Sequence, residues 1–255
     1  MRSMTRNNRT CDIRRGPLHK NCSRSGHLVV KILIAIGIVF TVMALLTPLD
    51  RGREAARRTQ CRINLKRIGL ALHSYHDQYG SFPPAFTVDA EGKPLHSWRT
   101  LILPFIDQQA LYDKIDLSKP WNDPANAEAL ATRLPAYCCP ASIASLDKTS
   151  YMGLVGENVF LAPIGPRKLA DFPEGEKSEV VAILEVDASQ AVPWMSPQDV
   201  GPEYLLTFGP ETKSSHYGSL HILQVDGRVS SLSSDTAGKE RERMISIQRD
   251  KPPKK

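Results

Sequence analysis

The chain has 255 residues, of which 41% are hydrophobic and 24% are charged. This composition excludes wholesale disorder, a collagen-like repeat and a polytopic membrane protein, and the length suits one or two domains with a buried core. The net charge is +6, and residues 1–27, with seven Lys/Arg and the single acid Asp12, account for it. Lys31 adds one positive charge, so residues 32–255 sum to −1. Because the body of the chain is nearly neutral, we expect no nucleic-acid partner.

A continuous apolar segment occupies residues 28–47. As a helix its twenty residues would extend about 30 Å, the thickness of the hydrocarbon core of a bilayer. Lys31 is its only charged residue and lies within one turn of the start, so its ammonium group can reach the interface. The segment is therefore predicted to be a single transmembrane helix. A buried core helix and a cleaved secretory signal are the alternatives, although the run is long for a signal and no Ala-x-Ala site follows it.

Basic residues flank this segment on both sides. Seven Lys/Arg precede it in the tail of residues 1–27, and seven more follow it between residues 51 and 67. The positive-inside rule therefore favours neither orientation clearly. We favour a cytoplasmic tail and a folded domain outside the inner membrane.

Residues 50–79 are predicted to form an amphipathic helix that ends at Gly80. Apolar and aromatic side chains recur there at alternating intervals of four and three residues, which places them on one stripe of the helix. The stripe predicts that this helix packs against the rest of the chain. Its members are Cys61, Leu65, Ile68, Leu72, Tyr75 and Tyr79.

Short helices are predicted in the middle of the chain. Residues 98–115 form a helical region with Ser97 as a cap and a break near Pro104. Asp123-Pro124 is a cap followed by a proline at the first helical position, and Pro135 ends that helix.

Strands are predicted over residues 151–155 and 180–186, the latter an almost unbroken apolar run. Two further runs, 220–225 and 228–232, flank Asp226-Gly227, which indicates a hairpin with a type I′ turn and positive φ at both central positions. The prediction is one α+β domain over residues 48–235, with an antiparallel sheet packed on the helix stripe. Residues 236–255 are predicted to be a charged C-terminal tail.

Six segments carry a specific pattern. They are REAARRTQCRINLKRIGLALHSYHDQYGSFPP at 53–84, WRTLILPFIDQQALYDKIDLSKPWNDPAN at 98–126, YCCPAS at 137–142, TSYMGLVGENVF at 149–160, EVVAILEVDASQAVPWMSPQDV at 179–200 and HYGSLHILQVDGRV at 216–229. Together they resemble a large planctomycete pseudopilin-like family that carries a domain of unknown function, over roughly residues 28–235. The resemblance implies a subunit similar to those of type II secretion systems and type IV pili: a prepilin-type N-terminal helix, half of it transmembrane, packed on an α+β domain. The resemblance does not imply any particular activity, because none is established for the family.

The N-terminus departs from that family at its leader-processing site. Family members have a basic leader, a glycine and then Phe-Thr-Leu-Ile-Glu, and the corresponding residues here begin at Gly26. His27 takes the place of the phenylalanine, and Lys31 takes the place of the glutamate that neutralises the terminal amine of a neighbouring subunit. Lysine reverses that charge inside lipid and turns attraction into repulsion. We therefore expect a permanently anchored, uncleaved chain.

Histidines provide two candidate sites. His73 and His76 lie three residues apart on the helix with Asp77 beside them, and this set could hold a metal edge-on, but a solvated or interface pair is favoured because no further ligands are evident. His216 precedes the first strand of the last hairpin, and His221 lies near the start of that strand. We expect His216 to hydrogen-bond the backbone of its turn.

Glu185 interrupts the apolar run 180–186. A buried carboxylate must be paired or protonated, so Glu185 either caps the strand end locally or contacts a cation, ligand or partner, with His216 as a second contact residue.

Cysteines are the remaining candidates. If the domain lies outside the cytoplasm, Cys61 could form a disulfide with Cys138 or Cys139, and free buried thiols are the alternative. The missing Cys-x-x-Cys pairs disfavour zinc, so we expect no metal and no cofactor.

The sequence thus predicts a single-pass, membrane-anchored structural or interaction protein of the bacterial cell envelope, with protein partners or self-association. The alternative is a solute- or ligand-binding module with a groove near Glu185 and His216. An enzyme is not expected, because no nucleophile, base and orienting acid are evident together in the sequence.

Overall fold

The computed structural model describes residues 23–142, 147–163, 165–245 and 247. The chain divides into two units, residues 1–52 and residues 53–255. A long helix, α1, spans Ser23–Tyr79. The basic tail is predicted over residues 1–27. Its residues 1–22, which include Cys11 and Cys22, lie outside the described residues.

The first unit contains one helix long and apolar enough to cross a membrane. Its apolar window is His27–Ala44, with a mean hydropathy of 2.4, and none of the window is buried. The alternative of a buried core helix is therefore wrong. A membrane span and a signal sequence both fit this observation.

The second unit, called the head below, begins at Arg53 and contains the rest of the chain. It is an α+β fold with three antiparallel sheets. The strands are β1 Phe86–Val88, β2 Pro94–Ser97, β3 Lys148–Thr149, β4 Tyr151–Gly153, β5 Val181–Glu185, β6 Val192–Pro193, β7 Ser219–Gln224 and β8 Val229–Ser233. Strands β1–β2 and β3–β6 form two small pairs, and the main sheet has the order β4-β5-β7-β8.

The predicted stripe of α1 is buried against the main sheet. Cys61, Leu65 and Ile68 are inaccessible to solvent and belong to the same core cluster as strand residues of β5 and β7. Gly69 allows the close approach, because a Cβ added there would lie 2.8 Å from Leu223 Cδ1. Tyr79 differs from the prediction, since it is exposed. Gly80 ends the helix with a φ of 75°, as predicted.

The other face of the main sheet carries a second core cluster. It contains Leu184 and Ile222 together with Leu205 of α5, Pro202–Thr207, and Ile245 of α6, Gly238–Ile245. Both faces of β5 are therefore covered, which explains why its sequence is an almost unbroken apolar run rather than an alternating one.

Short helices occur where caps and prolines predict them. They are α2 Trp98–Leu101, α3 Gln109–Tyr112 and α4 Ala127–Leu130, with 3₁₀ turns between them. Ser97 caps α2 by accepting a hydrogen bond from the amide of Arg99. Asp123 caps the turn before α4 in the same way.

The hairpin of β7 and β8 is confirmed, but its predicted turn type is wrong. Gly227 has a φ of 79°, while Asp226 is not in the left-handed region. The Gly227 amide donates to Gln224 O and the Gln224 amide donates to Arg228 O. This is the pattern of a three-residue loop closed by a glycine bulge, which needs positive φ only at the glycine.

The C-terminal segment is not simply a charged tail. Ile245 and Ile247 are buried, and the Ile247 amide donates to Asn158 O. The head therefore extends beyond residue 235, because Ile245 at the end of α6 and Ile247 after it are apolar side chains buried among charged neighbours.

A buried ion pair joins α2 to the loop after β6. The Arg99 side chain is inaccessible, and its Nη1 lies 2.7 Å from Asp199 Oδ1. Asp199 also accepts hydrogen bonds from the Gly153 amide and from Trp98 Nε1. The guanidinium donates to three backbone oxygens of this loop, those of Trp194, Ser196 and Gln198. Trp194 is itself buried and donates to Thr132 O, so it anchors the loop.

Replacing Asp199 with alanine should destabilise the head strongly. The change leaves the Arg99 guanidinium buried without a counter-charge, for which a cost of about 3–5 kcal/mol in the free energy of unfolding is expected. Glu128→Ala is the matched control, because it breaks an exposed ion pair with Lys114 and should have little effect on stability. Urea unfolding followed by tryptophan fluorescence measures both. Equal effects of the two changes would contradict the role of this pair.

Candidate functional site

Four polar side chains lie in a row across the main sheet. Tyr151 on β4 pairs with Glu185 on β5, and His221 on β7 pairs with Ser231 on β8. The register between β5 and β7, continued by one residue, places Glu185 opposite His221. Because residues directly opposite one another in a sheet point to the same face, all four share the face toward α1.

Helix α1 adds two side chains above this row. Cys61 Sγ lies 3.0 Å from Tyr151 Oη and donates to Glu185 Oε2 at 3.3 Å. Glu54 lies seven residues before Cys61, which is two helical turns, and therefore projects from nearly the same face. Its Oε1 is 3.4 Å from His216 Nδ1.

Two loops complete the cluster. His216 precedes β7, and its Nε2 lies 3.4 Å from both Glu185 Oε2 and Cys139 Sγ. Cys139 follows a 3₁₀ turn at Pro135–Tyr137. We call Cys61, Cys139, Glu185, His216 and His221 the buried cluster; their exposed fractions are 0%, 3%, 2%, 0% and 3%.

Two atoms of the buried cluster have no hydrogen-bond partner among the residues that the structure describes. They are Glu185 Oε1 and His221 Nε2. The other ring nitrogen of His221, Nδ1, lies 2.8 Å from Ser231 Oγ. A buried polar atom left unpaired costs about 1–3 kcal/mol, so this arrangement is unfavourable unless the atoms serve a purpose.

The environment shifts the pKa values of the carboxyl group and of both histidines. Burial, followed by the negative charge of Cys139, raises the pKa of Glu185 to about 8. Burial, together with the charge of His216, lowers the pKa of His221 to about 4. Burial also opposes the charged form of His216, but the hydrogen bond with Cys139 and the charge of Glu185 outweigh it and raise its pKa.

The two thiols differ in acidity. Burial raises the pKa of Cys61. The hydrogen bond from Cys61 lowers the pKa of Cys139, and hydrogen bonds with His216 and Glu185 act in the same direction against the effect of burial. Cys139 is therefore the thiol that ionises first.

The buried cluster supports two kinds of chemistry. Cys61, Glu185, His216 and His221 each offer one ligand atom, and these four atoms lie within 4.8 Å of one another, a donor set suited to a metal such as zinc. Separately, a Cys139 thiolate beside a protonated His216, with Glu54 on the far ring nitrogen, has the order of a nucleophile, a base and an orienting acid.

A surface cavity of about 280 Å³ reaches the buried cluster from outside. Cys139 and Ser150 line it, together with Cys138 and Lys148. Cys139 therefore belongs both to the cavity wall and to the buried cluster, and it is the cluster member nearest to the cavity.

Glu185 and His216 are brought together, as members of a closed cluster rather than of an open groove. The expectation that His216 bonds the backbone of its turn is wrong: its side chain contacts Glu54, Cys139 and Glu185 instead. A role for the Glu185–His216 pair in ligand or partner contact stays a prediction.

Of the two cysteines considered as partners for Cys61, Cys139 is its neighbour. Cys138 instead donates from its thiol to Lys148 O. All three are free cysteines in the structure, and a disulfide between Cys61 and Cys139 stays a prediction.

The helix histidines are interface residues. His73 Nε2 lies 3.0 Å from Val225 O, and His76 Nε2 accepts a hydrogen bond from the Leu169 amide. Both rings contact Phe82. Neither belongs to the buried cluster.

Sequence reasoning missed the site roles of Glu54, Tyr151 and Ser231, and did not link His221 to Cys61. The available signals were the seven-residue spacing of Glu54 and Cys61 and the hairpin register that pairs His221 with Ser231.

Glu185→Gln should remove a pH dependence of stability in chelator-treated protein. The pKa of Glu185 is raised in the folded state from its ordinary value of 4.5 to about 8. Its protonated form therefore favours folding; the contribution is complete below pH 4.5 and is lost as the pH rises through about 8. Between about pH 5 and pH 8.5 the wild type should lose on the order of a few kcal/mol relative to the variant.

Urea unfolding of the full chain in detergent across this pH range measures the difference. Glu128→Gln, an exposed carboxyl, is the control and should follow the wild type. Parallel curves for the wild type and Glu185→Gln would show that Glu185 is ionised in the folded state throughout.

Comparison with known proteins identifies a family whose function is unknown. A family model described as a protein of unknown function (DUF1559) matches residues 50–179. No curated protein and no solved structure matches the chain. The matched region includes α1 from residue 50, Cys61, Cys139 and Tyr151, and it ends just before β5. Because the match covers half of the sequence, the chain belongs to the DUF1559 family of proteins of unknown function.

Proposed function

We propose that this protein is a single-pass, membrane-anchored, pseudopilin-like component of the bacterial cell envelope, with a structural or interaction role and no catalytic activity. One observation carries the anchor: the window His27–Ala44 is as apolar as a core helix, yet none of it is buried. Covering apolar surface contributes about 25 cal/mol per Å², and a bilayer supplies that cover. The family match begins at residue 50, directly behind this segment.

The head supports the interaction role. It has its own core clusters on both faces of the main sheet, so it does not need the apolar segment to fold. The proposal places the tail before residue 28 in the cytoplasm and the head outside the inner membrane, where it would meet protein partners or further copies.

A second candidate is a ligand-binding module displayed outside the inner membrane. The cavity beside Cys139 favours it. Its volume of about 280 Å³ lies at the lower limit of small-molecule sites, so an ion or a very small solute is the class of ligand that it suits.

Alkaline carbonate extraction tests the anchor in the full chain. The wild type should stay in the membrane pellet. The double variant Ile36→Asp/Val39→Asp should leave it, because each central carboxylate costs about 2.5–3.5 kcal/mol in a transmembrane helix. Leu70→Asp is the control: Leu70 is an exposed leucine of the head, and its replacement should not change the fractionation.

Alkaline phosphatase fused to the C-terminus reports the orientation of the head. The fusion should be active, because the proposal places the head outside the inner membrane. A soluble, shortened wild-type protein would mean that the apolar segment is a signal sequence. An inactive fusion would place the head in the cytoplasm. Either result overturns the corresponding part of the proposal.

The N-terminus of the membrane-extracted protein separates a static anchor from a processed pilus-type subunit. Intact-mass spectrometry should find the tail retained, because His27 and Lys31 depart from the processing pattern and Lys31 would repel a neighbouring terminal amine in lipid. A chain that begins at His27 would instead show that Gly26 is accepted as a cleavage site, and the protein would then be a processed pseudopilin.

A further inference from the structure

The four ligand atoms of Cys61, Glu185, His216 and His221 lie within 4.8 Å of one another, and some of the donor atoms already have the spacing of a metal's coordination shell. Zinc bonds of about 2.0–2.3 Å in a tetrahedron place neighbouring ligand atoms about 3.3–3.8 Å apart. Cys61 Sγ to Glu185 Oε2 is 3.3 Å, and His216 Nε2 is 3.4 Å from Glu185 Oε2 and from Cys139 Sγ. An ion could therefore be held with small side-chain adjustments.

Both histidines are oriented from behind, as metal-bound histidines usually are. His216 Nδ1 faces the Glu54 carboxylate at 3.4 Å, and His221 Nδ1 faces Ser231 Oγ at 2.8 Å. A partner on one ring nitrogen fixes the tautomer and turns the other nitrogen toward the ion. A carboxylate behind one histidine and a hydroxyl behind the other give both rings this arrangement.

The unpaired atoms provide an independent argument. Glu185 Oε1 and His221 Nε2 are buried without hydrogen-bond partners among the described residues, and their side chains are 2% and 3% exposed. Atoms of this kind are costly in a purely structural core. Of the two, His221 Nε2 is the atom that a bound metal ion would satisfy directly.

We propose that Cys61, Glu185, His216 and His221 bind a divalent transition-metal ion, with zinc as the ion that this mixture of sulfur, nitrogen and oxygen donors suits best. Cys139 borders this site on the side of the surface cavity. All four ligands come from the protein and all are buried, which is the character of a structural zinc site rather than a catalytic one. The ion would join α1 to the main sheet. This inference does not depend on the membrane role.

A metal explains more of the buried cluster than the thiol chemistries do. A Cys139–His216–Glu54 nucleophile would leave His221 without a role, and a Cys61–Cys139 disulfide would leave both histidines and Glu185 without one. A metal uses Cys61, Glu185, His216 and His221 as ligands and both supporting groups, Glu54 and Ser231.

Metal content and metal affinity of the full chain test the proposal. Protein purified in detergent without chelators, loaded with zinc and desalted, should retain stoichiometric zinc by mass spectrometry of the metal. Cobalt in place of zinc should give a thiolate-to-metal charge-transfer band in the near ultraviolet. His221→Asn should lose the bound zinc, whereas the control His96→Gln should keep it, because His96 is equally buried but bonds Lys119 O outside the buried cluster.

Glu54→Gln keeps the test valid if core variants fail to fold. Glu54 lies at the surface with its side chain 33% exposed, so the fold should survive the change. Its loss as the partner of His216 should weaken zinc affinity about 10–100-fold in competition with a chromophoric chelator. Glu128→Gln is its matched control and should bind as the wild type does.

Three results would overturn the proposal. The wild type could retain only traces of zinc after loading and give no cobalt charge-transfer band. Zinc affinity could be unchanged in both His221→Asn and Glu54→Gln. Peptide mapping of thiol-blocked native protein could find Cys61 and Cys139 joined as a disulfide, which removes the thiolate that the site needs.

Discussion

The packing of one face of α1 on the main sheet is the contact from which both the core and the buried cluster follow. Gly69 lets the helix approach until a single added Cβ would strike Leu223, and Leu65 and Ile68 fill the space on either side. At this separation a polar side chain on the stripe reaches the strands directly. Cys61 therefore meets Tyr151 and Glu185 within hydrogen-bond distance, and the cluster forms inside the core rather than at its edge.

Two of the buried polar systems in the head, the Arg99 ion pair and the buried cluster, are satisfied in different ways. The Arg99 guanidinium is saturated by Asp199 and by backbone oxygens, so this network is complete within the protein and serves to hold the loop after β6. The buried cluster contains similar numbers of polar groups but leaves a carboxylate oxygen and a ring nitrogen unpaired. Since the same core is able to satisfy a full guanidinium, the incomplete pairing of the cluster favours a binding role over a purely structural one.

Local periodicity made most of the fold predictable, whereas the site depended on tertiary contacts. The apolar segment, the stripe from Cys61 to Leu72 and the hairpin of β7 and β8 each depend on neighbours in sequence, and each is present. The donors of the buried cluster come from the helix, from two loops and from two strands, so no spacing rule brings Cys139 to His216. The sequence rule used for metals was that zinc sites contain paired cysteines at short spacing. Because such pairs are missing, this rule predicted no metal site. The C-terminal helix was underestimated because Ile245 and Ile247 are the apolar exceptions in a charged segment.

The proposed location of the head and the proposed metal constrain each other. Outside the cytoplasm, two neighbouring thiols in an oxidising compartment tend to become a disulfide, and Cys61 and Cys139 both belong to the buried cluster. Burial protects Cys61, but Cys139 borders a surface cavity and ionises more readily. A thiolate reacts with an oxidant through its sulfur lone pairs. Coordination to a metal engages these lone pairs and so stabilises the thiolate state. A head outside the membrane therefore needs the ion early, during or soon after folding, whereas a head in a reducing compartment could acquire it at any time. The redox state of this single pair of cysteines thus links the compartment of the head to the chemistry of its core.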